Sequence, residues 1–242
     1  MKIVLLGYGK MGKEIEKVAL ERNHEIILII DENNTGELTV PNLIKTDAVI
    51  DFSTPSSAFS NIIKCFEADV PVVSGTTGWL DKYELVREIC IKENKSFFYA
   101  SNYSLGVNIL FALNKHLARI MNSFPEYDVR LREIHHIHKL DAPSGTAISL
   151  ANGIIENVDR KNKWELESSA LQGNPEILNI TAIRENEVPG IHYVTFESEV
   201  DTLEISHSAK SRKGFALGAV MAAEFIKDKK GVYSMADLLN IA

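Results

Sequence analysis

Short apolar runs alternate with amphipathic segments over the first hundred residues of the chain. The apolar runs predict buried strands at 2–7, 25–31, 48–52, 70–74 and 96–99. Between them, apolar residues recur at helical spacing and predict helices at 10–22, 56–68 and 80–94. Continuously apolar strands that alternate with helices are typical of a parallel sheet covered on both faces. The pattern predicts an α/β fold with a Rossmann-type doubly wound sheet.

The pattern changes after about residue 106. We expect a helix at 107–122, a strand at 127–137, a helix near 144–157 and a polar loop around 158–175. Later segments alternate apolar and polar residues, at 177–185, 191–198 and 202–209. This alternation predicts an antiparallel or mixed sheet with one covered face. Two final helices are expected at 214–227 and 234–240, and the length favours two lobes with a boundary near 104–107.

Composition excludes several classes of protein. The 33 acidic and 26 basic residues give a net charge of −7, which argues against a nucleic-acid partner. The two cysteines, Cys65 and Cys90, are too few for a disulfide framework or a thiolate metal cage. The apolar run at 3–6 is too short for a signal peptide, and no window reaches the about 20 apolar residues of a spanning helix. We therefore expect a cytoplasmic protein without a membrane partner.

A glycine loop follows the first predicted strand and opens the first predicted helix. Its sequence fits G-x-G-x-x-G, and the candidate cofactor-binding residues are Gly7, Tyr8, Gly9, Lys10, Met11 and Gly12. The first glycine allows a tight turn, the second lets the backbone approach a pyrophosphate, and the third lets helix and strand pack closely. The alternative is a glycine turn in an α/β domain that binds nothing.

An acidic pair ends the second predicted strand. Asp31 lies where a carboxylate would bind the ribose hydroxyls of a dinucleotide, and Glu32 follows it. Two carboxylates repel a 2′-phosphate, which favours NADH over NADPH, although Lys10 in the glycine loop would partly offset the repulsion. The cofactor is therefore expected to be NADH, NADPH or both, with NADH favoured.

Two later loops also follow strands, at 74–78 (SGTTG) and 100–104 (ASNYS). Ligands of such sheets bind beyond the carboxyl ends of the strands, so both loops are expected to flank the nicotinamide. The candidate residues are Gly75, Thr76, Thr77, Ala100, Ser101, Asn102 and Tyr103. The segment 51–55 (DFSTP) ends the third strand and is expected beside the cofactor as well.

The most unusual stretch is 133–147, with the sequence EIHHIHKLDAPSGTA. On a strand, His136 and His138 would face one way and His135 the other. Pro143 then prepares a helix N-terminus, where residues 144–146 offer backbone N–H groups and two hydroxyls. Together these groups indicate a site for an anion, such as a carboxylate, beside a proton donor with a pKa near neutral.

Three other interpretations of this stretch stay open. The histidines could bind a metal, although we find no carboxylate or cysteine set at matching ligand spacing. They could be ordinary strand residues whose rings are hydrogen-bonded. Ser144 could be only a helix cap.

The chain closely resembles the 4-hydroxy-tetrahydrodipicolinate reductase (dihydrodipicolinate reductase) family. The family signature E-x-H-H-x-x-K-x-D-A-P-S-G-T-A matches 133–147 without a gap, and the resemblance covers nearly the whole chain. Further matching segments are GYGKMG, DFSTP, SGTTG, SNYSLGVN, VPGIH and EISHSAKSRKGFALGA. The resemblance implies a nicotinamide-dependent oxidoreductase that reduces a dihydrodipicolinate-type cyclic dicarboxylate to tetrahydrodipicolinate, in lysine biosynthesis through diaminopimelate.

The resemblance also implies roles for individual residues. His135 matches the proton donor or acceptor of the family, and Lys139 matches its second proton donor. The matching substrate-binding residues are His136, Ser144, Gly145 and Thr146. The family is homotetrameric through the sheet of its second lobe. The expected domains are a dinucleotide-binding domain at 1–106, a substrate-binding and oligomerisation domain at 107–213, and C-terminal helices at 214–242 that return to the first domain.

The chain departs from the family pattern in the loop at 100–104. Ser101 stands where relatives have a proline, and Tyr103 where they have a phenylalanine; neither change removes a catalytic group. An amino-acid dehydrogenase of similar two-lobe design is an alternative, but it should lack the cluster at 135–146. A non-catalytic NAD-binding sensor should lose the proton donor or the anion site. The sequence assigns no role to His138, His192 or His207.

Overall fold

The structure is a computed structural model that describes residues 1–167 and 174–241. Its strands, in chain order, are β1 (Lys2–Leu6), β2 (Glu25–Ile30), β3 (Ala48–Asp51), β4 (Val72–Ser74), β5 (Ser96–Tyr99), β6 (Asp128–His135), β7 (Lys163–Leu166), β8 (Ile177–Arg184), β9 (Ile191–Glu197), β10 (Thr202–Ser208) and β11 (Gly231–Tyr233). Its helices are α1 (Lys10–Glu21), α2 (Val40–Leu43), α3 (Pro55–Glu67), α4 (Tyr83–Lys92), α5 (Leu105–Met121), α6 (Gly145–Ile155), α7 (Lys213–Ile226) and α8 (Met235–Leu239).

The chain divides into two compact units. Unit 1 contains Met1–Leu105 together with Arg212–Ala242, and unit 2 contains Gly106–Ser211. Among the described residues, no helix is both long enough and apolar enough to cross a membrane. Each unit is built around one sheet.

Unit 1 is a six-stranded parallel sheet in the order β11-β5-β4-β3-β1-β2. Successive side chains of a strand point to opposite faces, so each central strand feeds two cores. Ile3 and Leu5 of β1 pack in one core with residues of α1 and α7. Val4 and Leu6 pack in the other core with residues of α3 and α4. The doubly wound Rossmann-type prediction is therefore confirmed.

Three short elements of unit 1 were not predicted from the sequence. The sixth strand, β11, has only three residues, and parallel pairing with β5 holds it in the sheet. A 3₁₀ turn at Thr35–Glu37 and the single turn of α2 connect β2 to β3. The second strand is half-buried rather than buried, because it lies at the edge of the sheet. Elements of three or four residues are too short to display a period.

Unit 2 is a five-stranded mixed sheet in the order β10-β9-β6-β8-β7. Its central strand, β6, pairs antiparallel with β9 and parallel with β8. Leu131, Ile180 and Val194 form a core with Leu150 and Ile154 of α6 on one face. On the opposite face, alternate residues of β6 such as Arg130 and Arg132 are exposed. This arrangement confirms the expected α+β domain with an open mixed sheet.

Two predictions for unit 2 were wrong in detail. The expected polar loop around 158–175 contains a strand, β7, which pairs in parallel with β8; residues 168–173 of that loop lie outside the described residues. The strand predicted at 127–137 ends at His135. His136 and His138 therefore lie in the turn after β6, and strand alternation does not set the directions of their side chains.

Candidate active site

The glycine loop of unit 1 has space only for glycine at its first and third positions. Gly7 has φ +88°, and a Cβ there would lie 2.2 Å from the carbonyl oxygen of Phe52. A Cβ on Gly12 would lie 2.3 Å from the carbonyl oxygen of Gly7. A Cβ on Gly9 would meet nothing within 4 Å, and no side chain caps the N-terminus of α1. The loop therefore presents open backbone at a helix N-terminus, as a pyrophosphate requires.

A cavity of about 600 Å³ lies against this loop and within unit 1. Gly7, Tyr8 and Gly9 form one part of its lining, and Asp31 with Glu32 forms another. Residues of α3 complete it, among them Ser57, Ser60 and Lys64. The volume lies within the range of small-molecule sites, and the glycine cradle together with the acidic pair fits a dinucleotide.

Asp31 is held in place by the residues that follow it. Its Oδ1 accepts hydrogen bonds from the Asn33 backbone N–H at 2.8 Å and from Asn33 Nδ2 at 3.1 Å. Asn34 in turn accepts from the Asp31 backbone N–H at 2.8 Å. Glu32 is exposed. The local turn therefore orients the carboxylate of Asp31 at the end of β2, while Lys64 supplies a positive group elsewhere in the same lining.

The other side chains of the glycine loop lie in three environments. The hydroxyl of Tyr8 donates a short hydrogen bond to Glu16 of α1, and this bond raises the pKa of Tyr8. Met11 packs against the core of unit 1, whereas Lys10 is exposed. The Tyr8–Glu16 bond ties the middle of the loop to the helix that it opens.

The two later loops of unit 1 combine buried and exposed candidates. Thr76 is buried, and its Oγ1 accepts a hydrogen bond from the Ser53 backbone N–H at 3.0 Å. Tyr103 is buried as well, and its hydroxyl donates to the carbonyl oxygen of Ser74 at 2.8 Å. A Cβ on Gly75 would lie 2.3 Å from the ring of Phe52. These three positions shape the loops from inside.

The remaining candidates in these loops reach the surface to different degrees. Thr77 and Ser101 are exposed, and Ala100 and Asn102 are half-buried. The side chain of Asn102 accepts a hydrogen bond from the Ser104 backbone N–H at 2.8 Å. Groups that can meet a ligand are therefore concentrated at Thr77 and at residues 100–102.

The covered face of the sheet in unit 2 changes from apolar to ionisable side chains along β6. Apolar residues such as Leu131 give way to Glu133 and His135, both buried. The register places His192 of β9 opposite Glu133, and Arg184 of β8 opposite His135. One end of the core is thus lined by ionisable side chains instead of apolar ones.

Glu133 is fully buried and binds several groups. Both of its carboxylate oxygens accept from the Ser144 backbone N–H at 3.1 Å, and Oε1 also accepts from Arg184 Nη2 at 3.2 Å. Oε2 lies 3.5 Å from His135 Nδ1 and 3.6 Å from His192 Nε2. Burial alone would raise the pKa of Glu133. Contacts with His192, Ser144 and His135 outweigh burial and lower that pKa to about 2.

His135 is expected to be neutral in the protein without ligand. Burial, together with the smaller effects of His192, Lys139 and Arg184, lowers its pKa to about 4, although Glu133 opposes this shift. The expectation of a proton donor with a pKa near neutral is therefore wrong for His135. A bound anion would raise the pKa of His135 again.

Arg184 organises the turn that carries Lys139. Its Nε donates to the carbonyl oxygen of Lys139 at 3.2 Å, and its Nη2 donates to that of Asp141 at 2.6 Å. Lys139 Nζ lies 2.7 Å from both carboxylate oxygens of Asp141, and this contact lowers the pKa of Asp141. The ammonium group of Lys139 is thus held in a defined place by an ion pair with the carboxylate of Asp141.

The other two histidines of the cluster lie in the same turn. His136 is half-buried, and its ring centroid is 5.9 Å from that of His138. His138 is exposed and pairs with Glu187 at 3.0 Å. His136 is therefore only partly covered beside the exposed His138, and its substrate-binding role stays a prediction.

Ser144 caps α6 and also belongs to the ionic cluster. Its Oγ accepts from the Ala147 backbone N–H at 3.2 Å and lies 3.1 Å from His192 Nε2. Gly145 is exposed, and a Cβ there would meet nothing within 4 Å, while Thr146 is half-buried. The start of α6 is therefore uncrowded at Gly145, and the anion site expected there stays a prediction.

Sequence reasoning missed Glu133 and Arg184 as members of this site and left the role of His192 open. One atom each of Glu133, His135 and His192 lie within 4.8 Å of one another, which is close enough to share a metal ion. The sequence shows no carboxylate set at ligand spacing, whereas the fold brings Glu133 beside His135 and His192. The carboxylate already accepts hydrogen bonds from Ser144 and Arg184, so an ionic network accounts for the cluster. The available signal was alternation, since Glu133 and His135 share a face of β6.

Comparisons with known proteins agree along the whole chain. The family model "Dihydrodipicolinate reductase, N-terminus" matches residues 1–103, and the model "Dihydrodipicolinate reductase, C-terminus" matches residues 106–239. A curated 4-hydroxy-tetrahydrodipicolinate reductase of Christiangramia forsetii is 50% identical over 240 residues, covering 99% of this chain and 98% of the relative. The enzyme of the same name from Clostridium tetani is 34% identical and covers 99% of this chain and 97% of its own.

A solved structure shares the fold. It is a dipicolinate-bound dihydrodipicolinate reductase from Paenisporosarcina sp. TG-14, with a TM-score of 0.78 and 24% sequence identity. The similarity covers 98% of each chain. The fold and the sequence relatives thus point in the same direction.

Proposed function

The chain belongs to the dihydrodipicolinate reductase family, and on this premise we propose that it is a 4-hydroxy-tetrahydrodipicolinate reductase of lysine biosynthesis through diaminopimelate. Its substrate would be a dihydrodipicolinate-type cyclic dicarboxylate and its product tetrahydrodipicolinate. The observation that carries the proposal is the segment 133–147. There a buried histidine, a lysine and the N-terminus of a helix belong to one segment of unit 2.

The cofactor is proposed to bind unit 1. When bound, a reduced nicotinamide supplies a hydride, that is, a proton and two electrons. The loop of Gly7, Gly9 and Gly12 would hold the pyrophosphate, and Asp31 would accept hydrogen bonds from the ribose. Thr77 and residues 100–102 would line the nicotinamide end, with Gly75, Thr76 and Tyr103 supporting them.

NADH is proposed as the preferred cofactor, because Asp31 and Glu32 would repel a 2′-phosphate and Lys64 would offset only part of that repulsion. Asp31→Ala should raise KM for NADH more than KM for NADPH, since it removes both a ribose acceptor and a negative charge. Steady-state kinetics with each cofactor measure the two ratios. Equal increases for both cofactors would show that Asp31 does not bind the ribose.

The dicarboxylate is proposed to bind unit 2. The backbone N–H groups at Gly145 and Thr146, together with the Thr146 hydroxyl, would bind one carboxylate. His136 and Lys139 would provide positive or donating groups for the rest of the anion. Ser144 would support this site indirectly, because its backbone N–H holds the start of α6 against Glu133.

Reduction requires one proton in addition to the hydride. The hydride adds to one end of the unsaturated bond system of the ring. The proton adds to its other end, so that the double bond becomes a single bond. We assign proton delivery to His135, with Lys139 as a second donor. His135 is neutral when no ligand is bound, so the charge of the dianionic substrate would raise its pKa and load the proton as the substrate binds.

The test is oxidation of NADH followed at 340 nm, with the substrate generated in the cuvette by a dihydrodipicolinate synthase. Oxidation that depends on the synthase product is the expected result, and parallel assays with NADPH measure the cofactor preference. The proposal would be overturned if the protein bound NADH but oxidised neither NADH nor NADPH in the presence of the synthase product. An amino-acid dehydrogenase or a nicotinamide sensor would then be the better interpretation.

Assembly and location are proposed as well. The open face of the sheet in unit 2 has a depression of about 750 Å³ lined by charged and hydroxyl side chains, including Arg130, Arg132, Thr195 and Glu204. An uncovered sheet face with both signs of charge suits pairing with a second copy of itself. We propose a homotetramer joined through this face, acting in the cytoplasm, where reduced nicotinamide cofactors are supplied.

A further inference from the structure

The polar interior of unit 2 contains one carboxylate that the proposed reaction does not use directly. Glu133 has no exposed surface, yet it carries a charge at neutral pH. A buried charge is retained only where other groups compensate it. Four elements of the fold supply that compensation: β8 through Arg184, β9 through His192, α6 through Ser144, and β6 itself through His135.

The two nitrogens of His135 have different surroundings. Nδ1 faces Glu133 Oε2 at 3.5 Å, which is slightly beyond a hydrogen bond, and has no other partner among the described residues. Nε2 faces Gly190, where a Cβ would lie 3.0 Å away. Because Gly190 has no side chain, no Cβ crowds the Nε2 edge. The ring therefore presents Nδ1 to a carboxylate and Nε2 to the backbone of a glycine.

The charges that face His135 are unequal. His192, Lys139 and Arg184 each disfavour a positive imidazole ring, and His207 lies beyond His192 in the adjacent strand. Asp141 is engaged by Lys139. Glu133 opposes these groups, with its Oε2 at 3.5 Å from Nδ1 of the ring. A proton that His135 takes up would thus draw Nδ1–H onto Oε2 and close the remaining gap.

We propose that Glu133 is a positioning residue whose buried charge holds His135 through Nδ1, so that the ring takes up and delivers its proton at Nε2. The proposal rests on the proposed function, because it assigns the partner of the proton donor. The same carboxylate accepts from the Ser144 N–H, so one group aligns the proton donor with the start of α6. Glu133 does not contact the substrate in this account.

The first test is the pH dependence of kcat in Glu133→Gln. Glutamine keeps the size of the side chain and one oxygen that accepts from Ser144, but it removes the charge. A general acid loses activity as pH rises through its pKa, so loss of the negative neighbour should move this alkaline fall of kcat to lower pH by about one unit or more. At pH 7 we expect kcat to fall at least about tenfold, with KM for NADH within about twofold of wild type.

Two further variants separate charge from structure. Glu133→Asp keeps the charge and should leave the alkaline fall near its wild-type pH. Glu187→Gln makes the same chemical change at the exposed partner of His138 and should leave both kcat and the pH profile unchanged. If Glu133→Gln lowers kcat equally at every pH, without moving the profile, Glu133 is only structural and the proposal is overturned.

A measurement on the unmodified protein covers the case in which the variant does not fold. Nitrogen-15 spectra of the histidine-labelled chain, assigned with His135→Gln, should show neutral His135 protonated at Nδ1, the nitrogen that faces Glu133. A neutral ring protonated at Nε2 would contradict the proposal. This readout needs no turnover, so failure of the 340 nm assay with a confirmed Nδ1–H tautomer would overturn the proposed function and leave the Glu133–His135 pairing established.

Discussion

At the scale of single residues, burial acts in opposite directions on two carboxylates of this chain. Asp51 lies at the end of β3 with neutral partners: the Ser53 backbone N–H at 3.1 Å and Ser74 Oγ at 3.5 Å. Burial raises its pKa to about 6, although hydrogen bonds from Ser53, Asn61 and Ser74 favour the charged form. Glu133 has no exposed surface either, but contacts with His192, Ser144 and His135 outweigh burial and lower its pKa to about 2. The neighbours, and not burial alone, decide which carboxylate is charged.

This contrast predicts a pH-dependent stability. The pKa of Asp51 is raised from an unfolded value of 3.8, so the folded chain binds more protons between about pH 4 and pH 6. The free energy of unfolding should fall as pH rises through this window, by about 3 kcal/mol in total. Urea unfolding measured at several pH values should show this slope in the wild type. In Asp51→Asn the contribution of this group to the slope should be absent, and an unchanged slope would contradict the assignment.

At the scale of elements, each site lies where a strand ends and a helix begins. The glycine loop joins β1 to α1, and the turn at 136–144 leads from β6 to α6. The period of apolar residues identified these strands and helices, because their buried faces are long enough to display it. The strand predicted at 127–137 ran two residues past His135, where β6 ends. The contacts of Arg184 with Lys139 and Asp141 hold that segment as a turn instead.

Some residues of the candidate site are neighbours in the sequence, and others come from distant strands. His135, Lys139 and the start of α6 are contiguous in the chain, so a motif can find them. Arg184 and His192 come from strands 45 to 57 residues away from Lys139 and His135, and only the sheet register brings them to Glu133. Pairing of distant strands is not contained in any local pattern of a single sequence.

The glycine loop allows a prediction with a matched pair of variants. Gly12→Ala places a Cβ 2.3 Å from the Gly7 carbonyl oxygen, so it should lower the free energy of unfolding by about 1–3 kcal/mol. Gly9→Ala meets nothing within 4 Å and should leave stability within about 1 kcal/mol of wild type. Its Cβ would occupy the approach of the pyrophosphate, so KM for NADH should rise at least about tenfold.

Thermal or urea unfolding and NADH kinetics measure the two halves of this prediction. Both variants should weaken NADH binding, but only Gly12→Ala should lose stability. Normal NADH kinetics in Gly9→Ala would show that the pyrophosphate does not lie against the backbone of Gly9.

At the scale of the whole molecule, the features proposed to bind the cofactor and the substrate belong to different units. Unit 1 contains the glycine loop and the cavity beside it, and unit 2 contains the ionic cluster and the start of α6. Each unit has its own hydrophobic core and its own sheet. The relatives from Christiangramia forsetii and Clostridium tetani match across both units, so the family assignment rests on the full pair.

The open sheet face of unit 2 gives the prediction at this scale. Light scattering should give a mass near four times the 27.0 kDa of the chain. Thr181→Arg places a long cation in the centre of that face and should produce smaller species, because a self-complementary face then meets two added charges. Thr39→Arg adds the same charge to an exposed position of unit 1 and should leave the mass unchanged. A wild-type mass of 27.0 kDa would contradict the assembly.

The central claim is that the segment 133–147 performs the proton chemistry of a reductase. Its most direct test is the synthase-coupled assay at 340 nm with wild type, His135→Gln and Lys139→Ala, next to NADH binding measured by fluorescence titration. We predict that each variant loses about 100-fold or more in kcat, as expected when a general acid is removed, and binds NADH as wild type does. A variant that keeps a kcat near the wild-type value would contradict the role of that residue. If both variants did so, the account of this site would be wrong.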